Sequence, residues 1–234
     1  MHKLNATWMV GVCVGLGLLA GCQRVQVTSP SSRSLRIYLA RHGQTDWNAA
    51  QRLQGAQDVP INENGELQAR QLAAALRGFR LDAIYSSALQ RSRKTAEVVA
   101  ADRPVVSVPE LNEQALGRFE GVYLDGRDPA TASEYHRREV DPDDSLDGGE
   151  SIHQHLARVK QALEQIRHRH PSGQILIVGH GGTNVLILQA LLDLTPAQAG
   201  EIHQANEELY LIELFPDRPP LLWKQIPPGL LNQL

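Results

Sequence analysis

Short apolar runs alternate with segments of helical periodicity along most of the chain from about residue 35. The runs with the length and the polar, Gly or Pro boundaries of buried strands are residues 35–40, 81–86, 105–108 and 174–179. The segments with one apolar helical face are residues 63–77, 89–100, 151–168 and 183–192. Strands that alternate with helices form parallel sheets covered on both faces, so the pattern predicts a three-layer α/β/α fold with a mostly parallel central sheet.

The alternation changes in the later part of the chain. Residues 207–214 and 221–225 predict two further strands, which we place at a sheet edge. Residues 110–149 contain several Gly and Pro residues around one short helical piece, residues 131–140. Long irregular segments in compact domains are often lids or binding loops, so we expect this stretch to be an insertion over the functional site.

The first residues have the pattern of an export signal. Residues 8–20 are uncharged and apolar, and as a helix they would be about 20 Å long, too short for the ~30 Å hydrocarbon core of a bilayer. Leu19-Ala20-Gly21-Cys22 resembles the lipobox of bacterial lipoproteins, in which the cysteine is lipidated and begins the mature chain. The alternative is an ordinary signal peptide whose cysteine is incidental.

This resemblance implies a domain order and a location. We expect a signal peptide at residues 1–21, a lipidated Cys22 with a Ser-rich tether at residues 22–34, and one globular domain at residues 35–234. The lipid anchor would attach the protein to a membrane of the bacterial cell envelope, facing the periplasm or the exterior. The other cysteine, Cys13, lies in the segment that would be removed, which leaves no pair for a disulfide.

Composition and charge restrict the classes of partner that we expect. The chain is 42% hydrophobic and 21% charged, which is typical of a globular protein, and its net charge is -3. A small negative net charge does not attract nucleic acid, which is itself negative, so nucleic acid is not an expected partner. The sequence leaves the oligomeric state open.

Two histidine motifs follow predicted strands. Arg41-His42-Gly43 comes directly after the first strand, and His180-Gly181-Gly182 comes directly after another. Ligands bind at the carboxyl ends of strands in open α/β sheets, where helix N-termini also offer N–H groups to anions. A neutral imidazole can attack phosphorus, and the planar fork of arginine suits phosphoryl oxygens, so Arg41 and Arg91 are candidate phosphate ligands. A single such histidine is more often a surface or core residue, but the paired motifs favour one anion site.

Beyond these two motifs, the sequence resembles the histidine phosphatase superfamily, also called phosphoglycerate mutase-like, over residues 35–214. The signature Arg-His-Gly-(Glu/Gln)-Thr-x-x-Asn matches residues 41–48. Further matches follow in order at Gln54-Gly55 with residues 58–60, at residues 85–96, at Leu111-Asn112-Glu113 with Gly117 and Glu120-Gly121, at residues 148–151 and at residues 178–182.

The resemblance implies a mechanism and a role for each matching residue. His42 would be the nucleophile that becomes phosphohistidine, and Glu113 would be the proton donor, which requires a raised pKa. The residues that would hold the phosphate oxygens are Arg41, Asn48, Arg91 and His180. Further substrate contacts are expected at Thr45, Gln54, Gly55 and Gly181. The mechanism needs no metal and no cofactor.

Within this superfamily, we expect a phosphomonoester hydrolase that acts on small phosphorylated metabolites. Phosphoglycerate mutases carry a basic, proline-rich segment after the catalytic Glu, whereas residues 124–129 here have few cations. The alternatives are a mutase-type phosphotransferase and an inactive anion-binding lipoprotein. The pairs His153/His155 and His168/His170 are poor metal ligands on a helix, because residues two apart face different sides, so we expect surface positions for them.

Overall fold

The computed structural model describes residues 34–224. The expected signal peptide, the lipidation site at Cys22 and most of the expected tether lie outside the described residues. Within residues 34–224, no helix is both long enough and apolar enough to cross a membrane.

Within the described range, six strands form one mixed sheet in the order β3-β2-β4-β1-β5-β6. The strands are β1 (Leu35–Arg41), β2 (Ala83–Ser86), β3 (Val106–Ser107), β4 (Gly173–Gly179), β5 (Leu209–Leu214) and β6 (Leu221–Lys224). Strands β1 to β4 are parallel, while β5 pairs antiparallel with β1 and β6 pairs antiparallel with β5. The predicted α/β fold and its mostly parallel sheet are therefore confirmed.

Helices cover both faces of this sheet. The α-helices of residues 34–224 are α1 (Asp46–Ala49), α2 (Glu63–Ala75), α3 (Gln90–Ala100), α4 (Pro129–Arg138), α5 (Ile152–Arg169), α6 (Gly181–Leu192) and α7 (Pro196–Gly200). Side chains of β1 alternate between two buried clusters: Ile37 packs with residues of α5 and α6, and Tyr38 packs with residues of α2 and α3. This alternation follows from the two-residue period of a strand and produces the three layers.

The expected insertion at residues 110–149 contains two 3-10 turns, Pro109–Leu111 and Gly117–Phe119, and the helix α4. Asp128 caps α4 by accepting a hydrogen bond from the Thr131 N–H at 3.3 Å, so the helix begins before the expected residue 131. The segment has its own small cluster of buried apolar side chains, formed by Leu116, Phe119, Tyr135 and Leu146. It is therefore a packed unit and not an irregular loop.

The loop after β1 is packed tightly against the start of α2. An added Cβ at Gly65 would lie 2.2 Å from the Gln44 carbonyl oxygen, and one at Gly43 would lie 2.4 Å from the Gly65 carbonyl oxygen. Asn62 caps α2 through a 2.9 Å bond from the Gly65 N–H, and its own N–H donates to the Gln44 carbonyl. Only glycine fits at this contact, which holds the backbone beside His42.

We expect Gly65→Ala to lower the free energy of unfolding by about 2 kcal/mol, because backbone atoms that cannot move aside occupy the place of the new methyl group. Activity should fall as well, since the displaced backbone carries His42. Urea denaturation and a phosphatase assay measure the two effects. Gly200→Ala is the matched control, because nothing lies within 4 Å of an added Cβ there. Equal stability of the two variants would contradict the close contact.

Candidate active site

The two histidine motifs meet because β1 and β4 are adjacent parallel strands. Arg41 pairs with Gly179 at the last register position, and the His42 N–H donates to the Gly179 carbonyl at 3.0 Å. This places the ring centroids of His42 and His180 5.1 Å apart, and both rings are buried. The predicted convergence at the carboxyl edge of the sheet is observed.

His42 is held with one ring nitrogen engaged and the other available. Its Nδ1 lies 2.8 Å from the carbonyl oxygen of Gly43, which can only accept, so Nδ1 carries the proton and Nε2 keeps its lone pair. The pKa of His42 lies well below its ordinary value, because the ring is buried and because Arg91 and Arg41 repel a positive charge there. His42 is therefore a neutral imidazole in the tautomer that a nucleophile needs.

Arg91 is buried and bonded at every nitrogen of its guanidinium. Nη1 donates to the Gln57 carbonyl at 2.6 Å, Nη2 to the Gly55 carbonyl at 2.8 Å, and Nε to His180 Nδ1 at 3.2 Å. Each of the two Nη atoms has two hydrogens, so the fork retains N–H groups beyond these bonds. The carbonyls fix the position of the cation at the floor of the site.

His180 is positioned differently from expectation. Because Nδ1 accepts from Arg91, its proton is on Nε2, which lies 2.7 Å from Ser87 Oγ. Burial and then Arg91 hold the pKa of His180 well below its ordinary value, so it is also neutral. Both ring nitrogens are bonded within the protein, so His180 orients Arg91 here, and its direct contact with a phosphate oxygen stays a prediction.

Arg41 supplies a second cation beside His42. Its Nη1 donates to the Gln204 carbonyl at 2.8 Å, whereas its buried Nε has no hydrogen-bond partner among the described residues. A buried donor without a partner is costly, and one that lies next to a nucleophilic imidazole is suited to an anionic oxygen.

The signature residues after His42 form a cap. Thr45 begins α1, and its buried hydroxyl lies 3.1 Å from Asn48 Oδ1 and 2.9 Å from Gln54 Oε1. Asn48, Gln54 and Gly55 line the cavity described below, but Thr45 does not. Thr45 therefore positions Asn48 and Gln54 here, and its contact with substrate stays a prediction.

Glu113 lies against the N-terminus of α6. Its Oε2 accepts from the Gly182 N–H at 3.0 Å, and its Oε1 accepts from the N–H and the hydroxyl of Thr183, both at 3.0 Å. The helix begins at Gly181, two residues before the predicted start, which turns the glycines into the first turn that holds the carboxylate. A Cβ at Gly182 would lie 2.9 Å from Glu113 Oε1, so the glycine permits this approach.

The charge state of Glu113 differs from the expected one. Burial alone would raise the pKa of Glu113, but nearby groups outweigh it, and the net pKa lies below the ordinary value. Those groups are His155, Arg91 and the backbone N–H groups of Gly182 and Gln114. The expectation of a raised pKa is therefore wrong for the site as described, because helix N–H groups and cations favour the carboxylate.

His155 is a site residue that the sequence analysis misplaced on the surface. Its side chain is 1% exposed, and Nε2 lies 3.1 Å from Thr183 Oγ1. The signal was its spacing, since positions 155, 159, 162, 163 and 166 form the buried face of α5. By contrast, His153 is exposed, as expected, and it is paired with Asp143. His170 lies 2.9 Å from the Tyr85 hydroxyl.

His42, the two arginines and Glu113 line a cavity of about 700 Å³, whereas His155 and His180 lie behind its wall. Its residues include Arg41, His42, Asn48, Gln54, Gly55, Arg91, Glu113, Tyr135, Gly181 and His203. A further wall residue that the sequence analysis missed is Arg52, whose guanidinium carbon stacks 3.8 Å from the Trp47 ring and whose Nε donates to the Gly121 carbonyl at 2.7 Å. Within residues 34–224, no group of three or more His, Cys, Asp and Glu side chains is arranged to hold a metal ion.

Comparison with known proteins agrees with this geometry. The family model "Histidine phosphatase superfamily (branch 1)" matches residues 37–226. The chain is 33% identical over 169 residues to the probable phosphoglycerate mutase GpmB of Photorhabdus laumondii subsp. laumondii, covering 70% of this chain and 78% of that protein. It is 36% identical over 184 residues to the metal-independent phosphoserine phosphatase of Arabidopsis thaliana, covering 75% of each.

A solved structure of similar fold contains a bound ligand. A mutant of the phosphoserine phosphatase of Entamoeba histolytica in complex with phosphoserine has a TM-score of 0.68 and 25% identity, covering 82% of this chain and 96% of that one. The chain belongs to the histidine phosphatase superfamily, as the motifs predicted, and it is a phosphatase enzyme.

The neutral state of His42 can be checked by NMR. Burial and the two arginines disfavour the imidazolium, so at pH 6, below the ordinary histidine value of about 6.5, the ring should remain neutral with its proton on Nδ1. Ring ¹⁵N spectra between pH 8 and pH 6 measure this, with the signal assigned by its loss in His42→Asn. An imidazolium signal from His42 at pH 6 would contradict the assignment.

Proposed function

We propose that this protein is a metal-independent phosphomonoester hydrolase that acts on small phosphorylated metabolites through a phosphohistidine at His42. The observation that carries the proposal is the available Nε2 lone pair of a neutral His42 beside two arginines. The Nε–H of Arg41 has no hydrogen-bond partner within residues 34–224, and Arg91 is a fixed cation. Such a site binds a phosphoryl group and places a nucleophile next to it.

The reaction proceeds in two displacements. His42 Nε2 attacks phosphorus, the bond from phosphorus to the ester oxygen breaks, and the leaving oxygen takes a proton from Glu113. Water then attacks the phosphohistidine and gives a proton back to Glu113, which releases phosphate and restores the neutral imidazole. A bound phosphate ester adds negative charge beside Arg41 and Arg91, which raises the pKa of Glu113. The carboxylate then takes up a proton from solvent and can give it to the leaving oxygen in the first step.

The cavity supports hydrolysis over mutase activity. A mutase must hold a second acidic group near residues 124–129, but Arg127 there is paired with Asp125 at 2.8 Å and stacked 3.6 Å from the Tyr123 ring. Arg52 is the further cation on the cavity wall, and Trp47 covers one side of it. This wall suits a small leaving group that carries an acidic group, such as the serine of the phosphoserine bound by the Entamoeba relative.

The proposal requires turnover without metal. Full-length protein in detergent should hydrolyse p-nitrophenyl phosphate in the presence of EDTA, and His42→Ala should lower kcat/KM at least about a thousandfold. Protein quenched in alkali during turnover should carry phosphate that is released on acidification. His153→Ala, an exposed histidine, is the matched control and should retain activity. Absence of turnover between pH 5 and pH 8 with phosphate still bound would favour an inactive anion-binding protein.

We also propose that the protein is a lipoprotein of the bacterial cell envelope, anchored through Cys22. The support is the lipobox-like sequence and the export pattern before it. Cys22→Ser should move the protein from the membrane to the soluble fraction when bacterial cells are fractionated. Cys13→Ser is the control and should remain membrane-bound, since residue 13 would be removed with the signal peptide. Continued membrane association of Cys22→Ser would refute the lipid anchor.

A further inference from the structure

A buried histidine stands behind the proposed proton donor. His155 projects from the buried face of α5, and its Nε2 lies 3.1 Å from Thr183 Oγ1. The same hydroxyl lies 3.0 Å from Glu113 Oε1 and 3.1 Å from the Asn112 carbonyl oxygen. A chain of polar atoms therefore runs from α5 through the first turn of α6 to the carboxylate.

The direction of this chain follows from the donors available. A hydroxyl has one hydrogen, and two oxygens 3.0 Å apart attract each other only if a hydrogen lies between them. The charged Glu113 carboxylate is a stronger acceptor than the neutral Asn112 carbonyl, so we place the hydroxyl hydrogen on the Glu113 side and the His155 Nε2–H on Thr183 Oγ1. Burial lowers the pKa of His155 to about 4, so at neutral pH the ring is uncharged and has one N–H to donate.

We propose that His155 is a positioning residue that holds the Thr183 hydroxyl on the Glu113 carboxylate. In this way it sets the fraction of Glu113 that is protonated and can donate to the leaving group. This inference rests on the proposed function, because it concerns the protonation of Glu113, the acid of that reaction. His155 touches neither substrate nor the reacting atoms, and it acts through Thr183.

Other charged groups around Glu113 and His155 are held by contacts that do not involve the Thr183 hydroxyl. Arg91 from α3 and Arg41 from β1 act on the carboxylate through charge. On the other side of His155, Arg158 is paired with Glu150 at 2.6 Å and donates to backbone carbonyls of residues 110, 112 and 113. His180 also interacts with His155, and Tyr135 with Glu113. A substitution at position 155 leaves all of these groups in place.

The hydrogen bonds from His155 through Thr183 to Glu113 fix the direction in which a substitution of His155 changes the pKa of Glu113. Donors to a carboxylate favour its ionised form, so loss of the His155 N–H should raise the pKa of Glu113. The acid must be protonated to assist a poor leaving group, so kcat/KM for such a substrate falls as pH rises past that pKa. His155→Leu should move this fall to higher pH by about one unit, the size expected for one hydrogen bond to a charged group.

The experiment measures kcat/KM against pH for two aryl esters of similar size. Phenyl phosphate needs proton donation, whereas p-nitrophenyl phosphate has a good leaving group and does not. For the full-length enzyme in detergent, we expect the shift in His155→Leu with phenyl phosphate and no shift with p-nitrophenyl phosphate. His155→Gln keeps an N–H donor and should restore the wild-type profile. Thr183→Val removes the hydroxyl and should reproduce the shift even if His155→Leu does not fold.

The outcomes separate the inference from the proposed function. An equal loss on both esters without a shift, in a folded His155→Leu or Thr183→Val protein, would mean that His155 is only a packing residue, and it would overturn the inference. Glu113→Gln tests the function beneath it, because it should slow phenyl phosphate far more than p-nitrophenyl phosphate. Equal slowing there would remove Glu113 as the acid and overturn both.

Discussion

The rest of the site is arranged around the buried guanidinium of Arg91. Removing a charge from water costs several kcal/mol, and here two backbone carbonyls and His180 Nδ1 offset that cost. The bond to His180 fixes the tautomer of that ring. Together with burial, the same positive charge keeps His42 neutral, and together with His155 and backbone N–H groups it favours the ionised form of Glu113. One cation that cannot lose its own proton thus acts on a nucleophile, an orienting histidine and a carboxylate.

Much of the fold and the centre of the site follow from the sequence because both depend on period and order. Apolar runs and helical faces predict the parallel sheet, and the carboxyl ends of neighbouring parallel strands must bring residues 41–43 and 179–182 together. The short helices α1 and α7 escape prediction because four or five residues do not establish a period. The spacing of His155 on α5 indicates a buried position. We expected a surface position because histidine is polar.

What the sequence could not supply is the balance of opposing effects at Glu113. Its motif identifies a carboxyl group, and burial alone argues for a raised pKa. The opposite direction arises from His155 and Arg91 and from where α6 begins, because a start two residues earlier places helix N–H groups on the carboxylate. A difference of two residues in the start of a helix therefore contributes to the charge state of the group. Such an effect appears only when backbone positions are known, since neither residue type nor order encodes it.

The strand β1 has a consequence for how the enzyme meets its substrate. It is seven residues long, roughly 23 Å, with His42 beyond one end and the entry of the chain from residue 34 at the other. The cavity lies at the carboxyl end of β1, so a substrate reaches His42 from the edge of the sheet opposite residue 34. The chain before residue 34 therefore joins the domain about one strand length away from the reacting atoms.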